Sequence, residues 1–235
     1  LFDGDALFDR DRSRRPSWLA FGREARALLS SRSTLPAPAD LPQGAGLPVL
    51  VIPAFLTADG YTRRLRAFLG QCGFRAFGWE LGRNWGPTPR VLAGLERRFD
   101  LLAARHGPVA LVGISLGGLL ARDLAHRRPG HVAHVVTVAS PFRLPTASLL
   151  EPLVRLCARR YSNEIDIARL ATPLPMPSTM LYTRDDGIVP PEDCWVDGAG
   201  CERIELRGPH LVLSGTAEAM SAIVRSLAPA GGRPA

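Results

Sequence analysis

Gly107-Pro-Val-Ala-Leu-Val-Gly-Ile-Ser-Leu-Gly-Gly-Leu-Leu120 is the stretch that decides how the rest of the chain is read. Val109 to Val112 is a short apolar run of the kind a buried strand uses. Gly113-Ile114-Ser115-Leu116-Gly117 reads as a tight turn. Leu116 then opens a helical pattern that reaches about Arg128, where Pro129-Gly130 stops it. Strand, turn and helix in that order are the context in which Gly-x-Ser-x-Gly is a nucleophile elbow and not a chance match. The glycines have a mechanical reason. So sharp a turn strains the serine backbone, and side chains two residues away would collide with it. The serine hydroxyl is then held clear of the strands at a helix N-terminus, where backbone N–H groups favour developing negative charge.

Working outward, Leu47 to Pro53 is an uninterrupted apolar run, as expected of a strand covered on both faces. The loop Ala54-Phe55-Leu56-Thr57 leads to a predicted helix over about 60–71. A strand follows at Phe74–Leu81, a polar loop at 82–87, and a helix over about 88–105. After the elbow come strands at Val132–Ala139, Thr179–Thr183 and Arg203–Arg207, and a last helix at about 217–227. This alternation predicts an α/β fold whose central sheet of about six strands is mostly parallel, with helices on both faces. Residues 1–46 form an arm, with a helix starting at Pro16-Ser17 whose Trp18, Phe21, Ala25 and Leu28 share one face. Packing on the core is the expected use of that face; lying on a membrane surface is the alternative. Residues 47–228 form the core. Within it, residues 142–177 break the rhythm with an amphipathic stretch (Leu149–Leu156) and a Pro-rich end, and read either as a lid or as a crossover helix with a long loop. Residues 229–235 read as a flexible tail.

The 235-residue chain has 46% hydrophobic and 22% charged residues, which suits one globular domain. No apolar run approaches the ~20 residues that cross a bilayer. The first residues are acidic and unlike a signal peptide, and the chain does not begin with Met, so cytoplasm stands only as a default location. The net charge is +7 and every basic residue is Arg. Because the arginines are scattered and no nucleic-acid motif accompanies them, the balance argues for no nucleic-acid partner. No phosphate-binding glycine loop of standard spacing is present, which argues against nucleotides.

A serine nucleophile needs a base, and the base needs an orienting acid. His126, His131, His134 and His210 follow Ser115. The first three lie on a helix end and an early strand position and read as structural or solvated. His210, in Gly208-Pro209-His210, follows the last strand and so has room to reach Ser115. The segment Arg184–Pro190 supplies two adjacent acids, Asp185 and Asp186. Cys194 and Cys201 are close enough in sequence for a disulfide bracing this segment, with two free thiols as the alternative; Cys72 and Cys157 read as buried helix thiols. A zinc site using His210 does not match known ligand spacings.

On Gly113–Gly117, Asp186-Gly-Ile-Val-Pro190 and Gly208-Pro209-His210, the chain resembles the α/β-hydrolase superfamily, particularly its small esterases and lipases, over roughly residues 47–228. The resemblance implies the α/β-hydrolase fold and singles out Asp186, because the family's acid precedes a Val, often followed by Pro, by three positions. It implies a catalytic Ser115, Asp186 and His210 and an oxyanion hole from the backbone N–H of Leu116. A second donor is implied in the loop after the first core strand, where Phe55 stands. Here that loop reads Pro53-Ala54-Phe55, a departure from the family's frequent His-Gly-hydrophobic pattern. The implied activity is hydrolysis of a small-molecule or lipid carboxylic ester through an acyl-enzyme, without a metal or organic cofactor. A thioesterase, amidase or acyltransferase on the same residues, and a non-catalytic binding domain on this scaffold, are the alternatives. Leu56, Trp85 and Phe142 complete the candidate site as substrate-pocket residues.

Overall fold

The apolar runs become β1 (Pro48–Ile52), β2 (Arg75–Gly78), β3 (Val109–Ile114), β4 (Val132–Val138), β5 (Ser178–Thr183) and β6 (Cys201–Leu206). In the computed structural model, which describes residues 24, 35–143 and 165–228, they form one sheet in the order β2-β1-β3-β4-β5-β6, every pair parallel. The helices are α1 (Asp59–Gln71), α2 (Pro89–His106), α3 (Leu116–Arg127), α4 (Ile167–Leu170), α5 (His210–Leu213) and α6 (Ala217–Leu227). The helix predicted from Pro16, apart from Glu24, the amphipathic stretch 149–156, Cys157 and the tail 229–235 lie outside the described residues.

Side-chain alternation along each strand explains why the central strands read as continuous apolar runs. Val49 and Val51 of β1, with Ala110, Val112 and Ile114 of β3, face a core completed by Leu65, Phe68 and Leu69 of α1 and Met220 and Ile223 of α6. Leu50, Ile52, Val109 and Leu111 face the opposite way, onto Leu92, Leu95 and Phe99 of α2 and Leu120 and Leu124 of α3. Both faces are buried, so neither needs polar residues. β1 and β3 pair from Val49↔Ala110 to Ile52↔Gly113, which brings their C-terminal ends level at one edge. The strand order reverses between them, and in open α/β sheets the crevice at such a point is where ligands bind.

Two boundaries differ from expectation for visible reasons. The strand predicted at Phe74–Leu81 ends at Gly78, because the Asp59 carboxylate accepts from the backbone N–H groups of Trp79 (3.1 Å) and Glu80 (3.0 Å). Those groups are thereby withdrawn from any ladder. β6 begins two residues earlier than the predicted Arg203, at Cys201 opposite Ser178; as an edge strand it carries exposed Glu202 and Arg203, so its start has no apolar signature. No described helix is long and apolar enough to cross a membrane.

Candidate active site

Ser115 stands between β3 and α3 with φ 51° and ψ −121°, a conformation that costs an L-residue about 1–3 kcal/mol and persists only where the surroundings impose it. The surroundings do impose it. The Ser115 N–H donates to the Val138 carbonyl at 2.8 Å, and the Gly118 N–H donates to the Ser115 carbonyl at 2.8 Å. A Cβ at Gly113 would run into the Gly117 carbonyl and the Gly118 Cα, and one at Gly117 into the carbonyls of Ile52 and Pro53. The turn therefore closes only with both glycines, and it wedges directly against the end of β1.

His210 begins α5, and its ring spans the gap between the two other elements. Its Nε2 is 3.0 Å from Ser115 Oγ, and its Nδ1 is 2.7 Å from Asp186 Oδ2. Since the carboxylate can only accept there, Nδ1 carries the proton, and Nε2 is left to accept from the serine hydroxyl. Asp186 is itself fixed: its Oδ1 accepts from the N–H groups of Ile188 and Val189, both at 2.8 Å. Asp185 turns elsewhere and accepts from the Gly208 N–H at 3.1 Å. Asp186 and His210 are both buried. Burial resists charging of the His210 ring, but the Asp186 charge and hydrogen bond, with a smaller contribution from Glu24, outweigh it and hold its pKa above the usual value.

The two backbone N–H groups expected to face an oxyanion are unengaged among the described residues: neither Phe55 nor Leu116 donates to another group. The loop carrying Phe55 is held by Asn84, which is fully buried in the segment after β2. Asn84 Nδ2 donates to the Pro53 carbonyl (2.8 Å), its Oδ1 accepts from Gly86 N–H (3.0 Å), and its backbone exchanges bonds with Leu56 and Thr57. Gly86 in turn sits against the side chains of Leu116 and Phe55. Three loops, after β1, β2 and β3, are thus joined above Ser115.

No protein-family model and no curated protein sequence matches the chain. Among solved structures it is similar to a metagenome-derived lipolytic enzyme (17% identity, TM-score 0.56, covering 82% of this chain and 99% of that one). It is also similar to the monoacylglycerol lipase of Paleococcus ferrophilus (19%, 0.56, 77% and 95%). A third likeness is to the thioesterase domain from the curacin biosynthetic pathway (16%, 0.52, 78% and 92%). The chain has the α/β-hydrolase fold. Identities this low carry the fold and not the activity.

Within that α/β-hydrolase fold, the predicted pocket residues part company. Trp85 (56% exposed) and Leu56 (41% exposed) stand on the loops around Ser115, with Arg83 5.6 Å above the Trp85 ring. Phe142 corrects the expectation: it is fully buried among Leu119, Leu170, Met180 and Val196, with the Arg122 guanidinium 4.2 Å over its ring, and so offers no surface to a substrate. The same Arg122 donates to the carbonyls of Leu170 and Thr172, so the end of the 142–177 segment is packed on α3. His126, His131 and His134 take no part in the Ser115 site; His134 bonds to Thr179 Oγ1 at 3.0 Å, and burial lowers its pKa to about 4. Cys194 and Cys201 are free thiols, as is buried Cys72. Among the described residues no cluster of three or more His, Cys, Asp or Glu gathers as a metal site would.

Two buried residues that bond to the loops around Ser115, Asp186 and His210 are not among the candidates read from sequence. Asn84 looked like an ordinary loop polar residue. Glu24, the one described residue of the first 34, is helical and fully buried, and its carboxylate reaches the loops of both Asp186 and His210. A sequence signal for it exists: Glu24 is spaced three residues after Phe21 and four before Leu28, beside the apolar face that the helical pattern predicts.

Proposed function

We propose that the protein is a serine hydrolase that cleaves carboxylic esters through an acyl-enzyme, with Ser115 as nucleophile, His210 as general base and acid, and Asp186 as the orienting acid. The observation that carries this reading is the chain of contacts Ser115 Oγ–His210 Nε2 at 3.0 Å and His210 Nδ1–Asp186 Oδ2 at 2.7 Å, set on a strained serine at a strand-to-helix turn. As Ser115 Oγ attacks the ester carbonyl, His210 Nε2 takes its proton, and the Asp186 carboxylate stabilises the imidazolium that forms. The N–H groups of Leu116 and Phe55 receive the oxyanion of the tetrahedral intermediate. Collapse expels the alcohol, which His210 protonates. Water, deprotonated by the same ring, then attacks the acyl-serine; collapse releases the acid as His210 returns that proton to Ser115 Oγ. Leu56 and Trp85 border the acyl or alcohol side of the entrance. No step calls for a metal or organic cofactor.

The test is turnover of p-nitrophenyl esters of short to long acyl chains by the wild type and Ser115→Ala. The variant is expected to lose a factor on the order of 10⁴ or more in kcat, with the fold intact. The chain-length optimum separates esterase from lipase. Equal activity in both proteins removes Ser115 from the role. An inactive wild type that still labels at Ser115 with an organophosphonate moves the reading to a thioester, an amide or acyl transfer; no labelling moves it to a binding domain.

A further inference from the structure

Among the described residues, the buried Glu24 carboxylate bonds to backbone N–H groups. Its Oε1 accepts from the N–H of Gly187 (2.9 Å) and of His210 (2.7 Å), and its Oε2 from the N–H of Leu211 (2.8 Å). Gly187 is the residue directly after Asp186, and the second donor is the His210 backbone itself. One side chain, 163 residues from the first donor and 186 from the second, therefore ties the peptide of the acid to the peptide of the base. Withdrawing a carboxylate from water is costly unless it is paired or fully hydrogen-bonded, and hydrogen bonds from N–H groups are what this one has. An apolar residue in its place would leave those donors buried and unmet.

We propose that Glu24 is a positioning residue for the reaction, holding the Asp186 and His210 loops at the spacing the ring needs and adding a second negative charge near the imidazolium. The arm is then part of the working site rather than packing alone. This rests on the serine-hydrolase reading for its kinetic consequences, but not for its effect on His210. Among the described residues, the groups facing His210 are the carboxylates of Asp186, after β5, and Glu24, from the arm, with the Ser115 hydroxyl at the head of α3. Around them, Tyr61 of α1 donates its hydroxyl to the Leu211 carbonyl, Cys194 lies near Asp186, and Asp185 is turned onto Gly208. Burial pushes the Tyr61 hydroxyl and the Cys194 thiol upward, so both stay neutral where His210 titrates. Among the described residues, Asp186 and Glu24 are then the charges that favour the imidazolium, Asp186 more strongly.

Glu24→Gln separates positioning from bulk. Its side-chain oxygen keeps the Gly187 and His210 bonds, while its NH₂ meets the Leu211 N–H donor to donor, and the charge is gone. The His210 ring is titrated by NMR in histidine-labelled wild type, Glu24→Gln and Glu24→Asp, and kcat is measured per active site titrated with an organophosphonate. The expected result for Glu24→Gln is a His210 pKa lower by about half a unit. Its kcat per site should fall about tenfold with KM within about twofold, and Glu24→Asp, which keeps the charge, should recover most of the pKa. A lower melting temperature with wild-type His210 titration and wild-type kcat per site overturns the proposal and leaves Glu24 a purely structural residue. A wild type that neither turns over esters nor labels at Ser115 overturns the hydrolase reading instead, and the NMR titration still decides for or against Glu24.

Discussion

The elbow around Ser115 and the corner that holds Asp186 and His210 are built by different means. At the elbow the constraint is steric and local. Gly113 and Gly117 leave no room for a Cβ against neighbouring carbonyls, and one ladder-like bond from Ser115 N–H to Val138 sets the height of the turn. At the corner the constraint is a set of hydrogen bonds between segments far apart in sequence. Asp186 and His210 are 24 residues apart, and the carboxylate joining their backbones comes from the arm. A site of this kind can thus have a candidate nucleophile placed by five consecutive residues and a candidate acid–base pair that depends on segments far apart in the chain being folded together.

Asp186→Asn breaks the corner while leaving the elbow alone, and it has the largest expected effect in this comparison. The Asn oxygen still accepts from Ile188 and Val189, so the loop keeps its shape. Its NH₂, however, is offered to His210 Nδ1, which forces the proton onto Nε2 and removes the acceptor for the serine hydroxyl. A loss of roughly 10³–10⁴ in kcat with little change in unfolding midpoint is expected from ester kinetics and urea denaturation. A loss under tenfold would mean that the acid is not coupled to the chemistry.

The converse variant, Gly117→Ala, breaks the elbow sterically. Its methyl would collide with the backbone carbonyls of Ile52, the last residue of β1, and Pro53, the residue after it. A destabilisation of about 2–4 kcal/mol by urea denaturation is expected, since overpacking against fixed backbone is among the costlier substitutions. Gly130→Ala is the control: nothing lies within 4 Å of a Cβ there, and it should stay within about 0.5 kcal/mol of wild type. Equal stabilities for the two variants would show that the turn relaxes and that the glycines are not its cause.

The same contrast decides what could be read from sequence. The central strands and the elbow were legible because burial on both faces leaves an unbroken apolar run and because the glycines sit beside the serine they serve. His210 was legible from its place after the last strand. Asp186 was separable from Asp185 only by resemblance, since the fact that Asp185 turns onto Gly208 is a property of two loops together. Phe142 went astray because a large apolar residue near the site reads alike whether it lines a pocket or plugs a core. The early end of β2 was hidden because its cause, the Asp59 carboxylate, lies 20 residues upstream of the N–H it takes. Asn84 was hidden for that same reason, and Glu24 showed only as an acid beside an apolar helical pattern: each acts on backbone groups that only the fold brings to it.

The smallest expected effect sharpens the comparison most, because it reads charge rather than shape. In the free protein the acid limb of kcat/KM reports the base. Burial of His210 works against its protonation, yet the Asp186 charge and hydrogen bond, followed by Glu24, raise its pKa above the usual ~6.5. In the proposed mechanism His210 must be neutral to act, so activity should fall as pH drops through that raised value, placing the limb above ~6.5. Stability carries the opposite sign. A group whose folded pKa is raised contributes fully below its unfolded value, ~6.5, and loses that contribution as pH climbs through the folded one. The protein should therefore gain activity and give up part of this stabilisation across the same interval. In Asp186→Asn only burial and the weaker Glu24 charge remain, so the ring should titrate lower and the interval should move down. In Gly117→Ala, which changes no charge near the ring, whatever fraction folds should keep the wild-type limb. A shifted limb there would mean that the elbow also sets the electrostatics of the base, and the two regions would have to be treated as one.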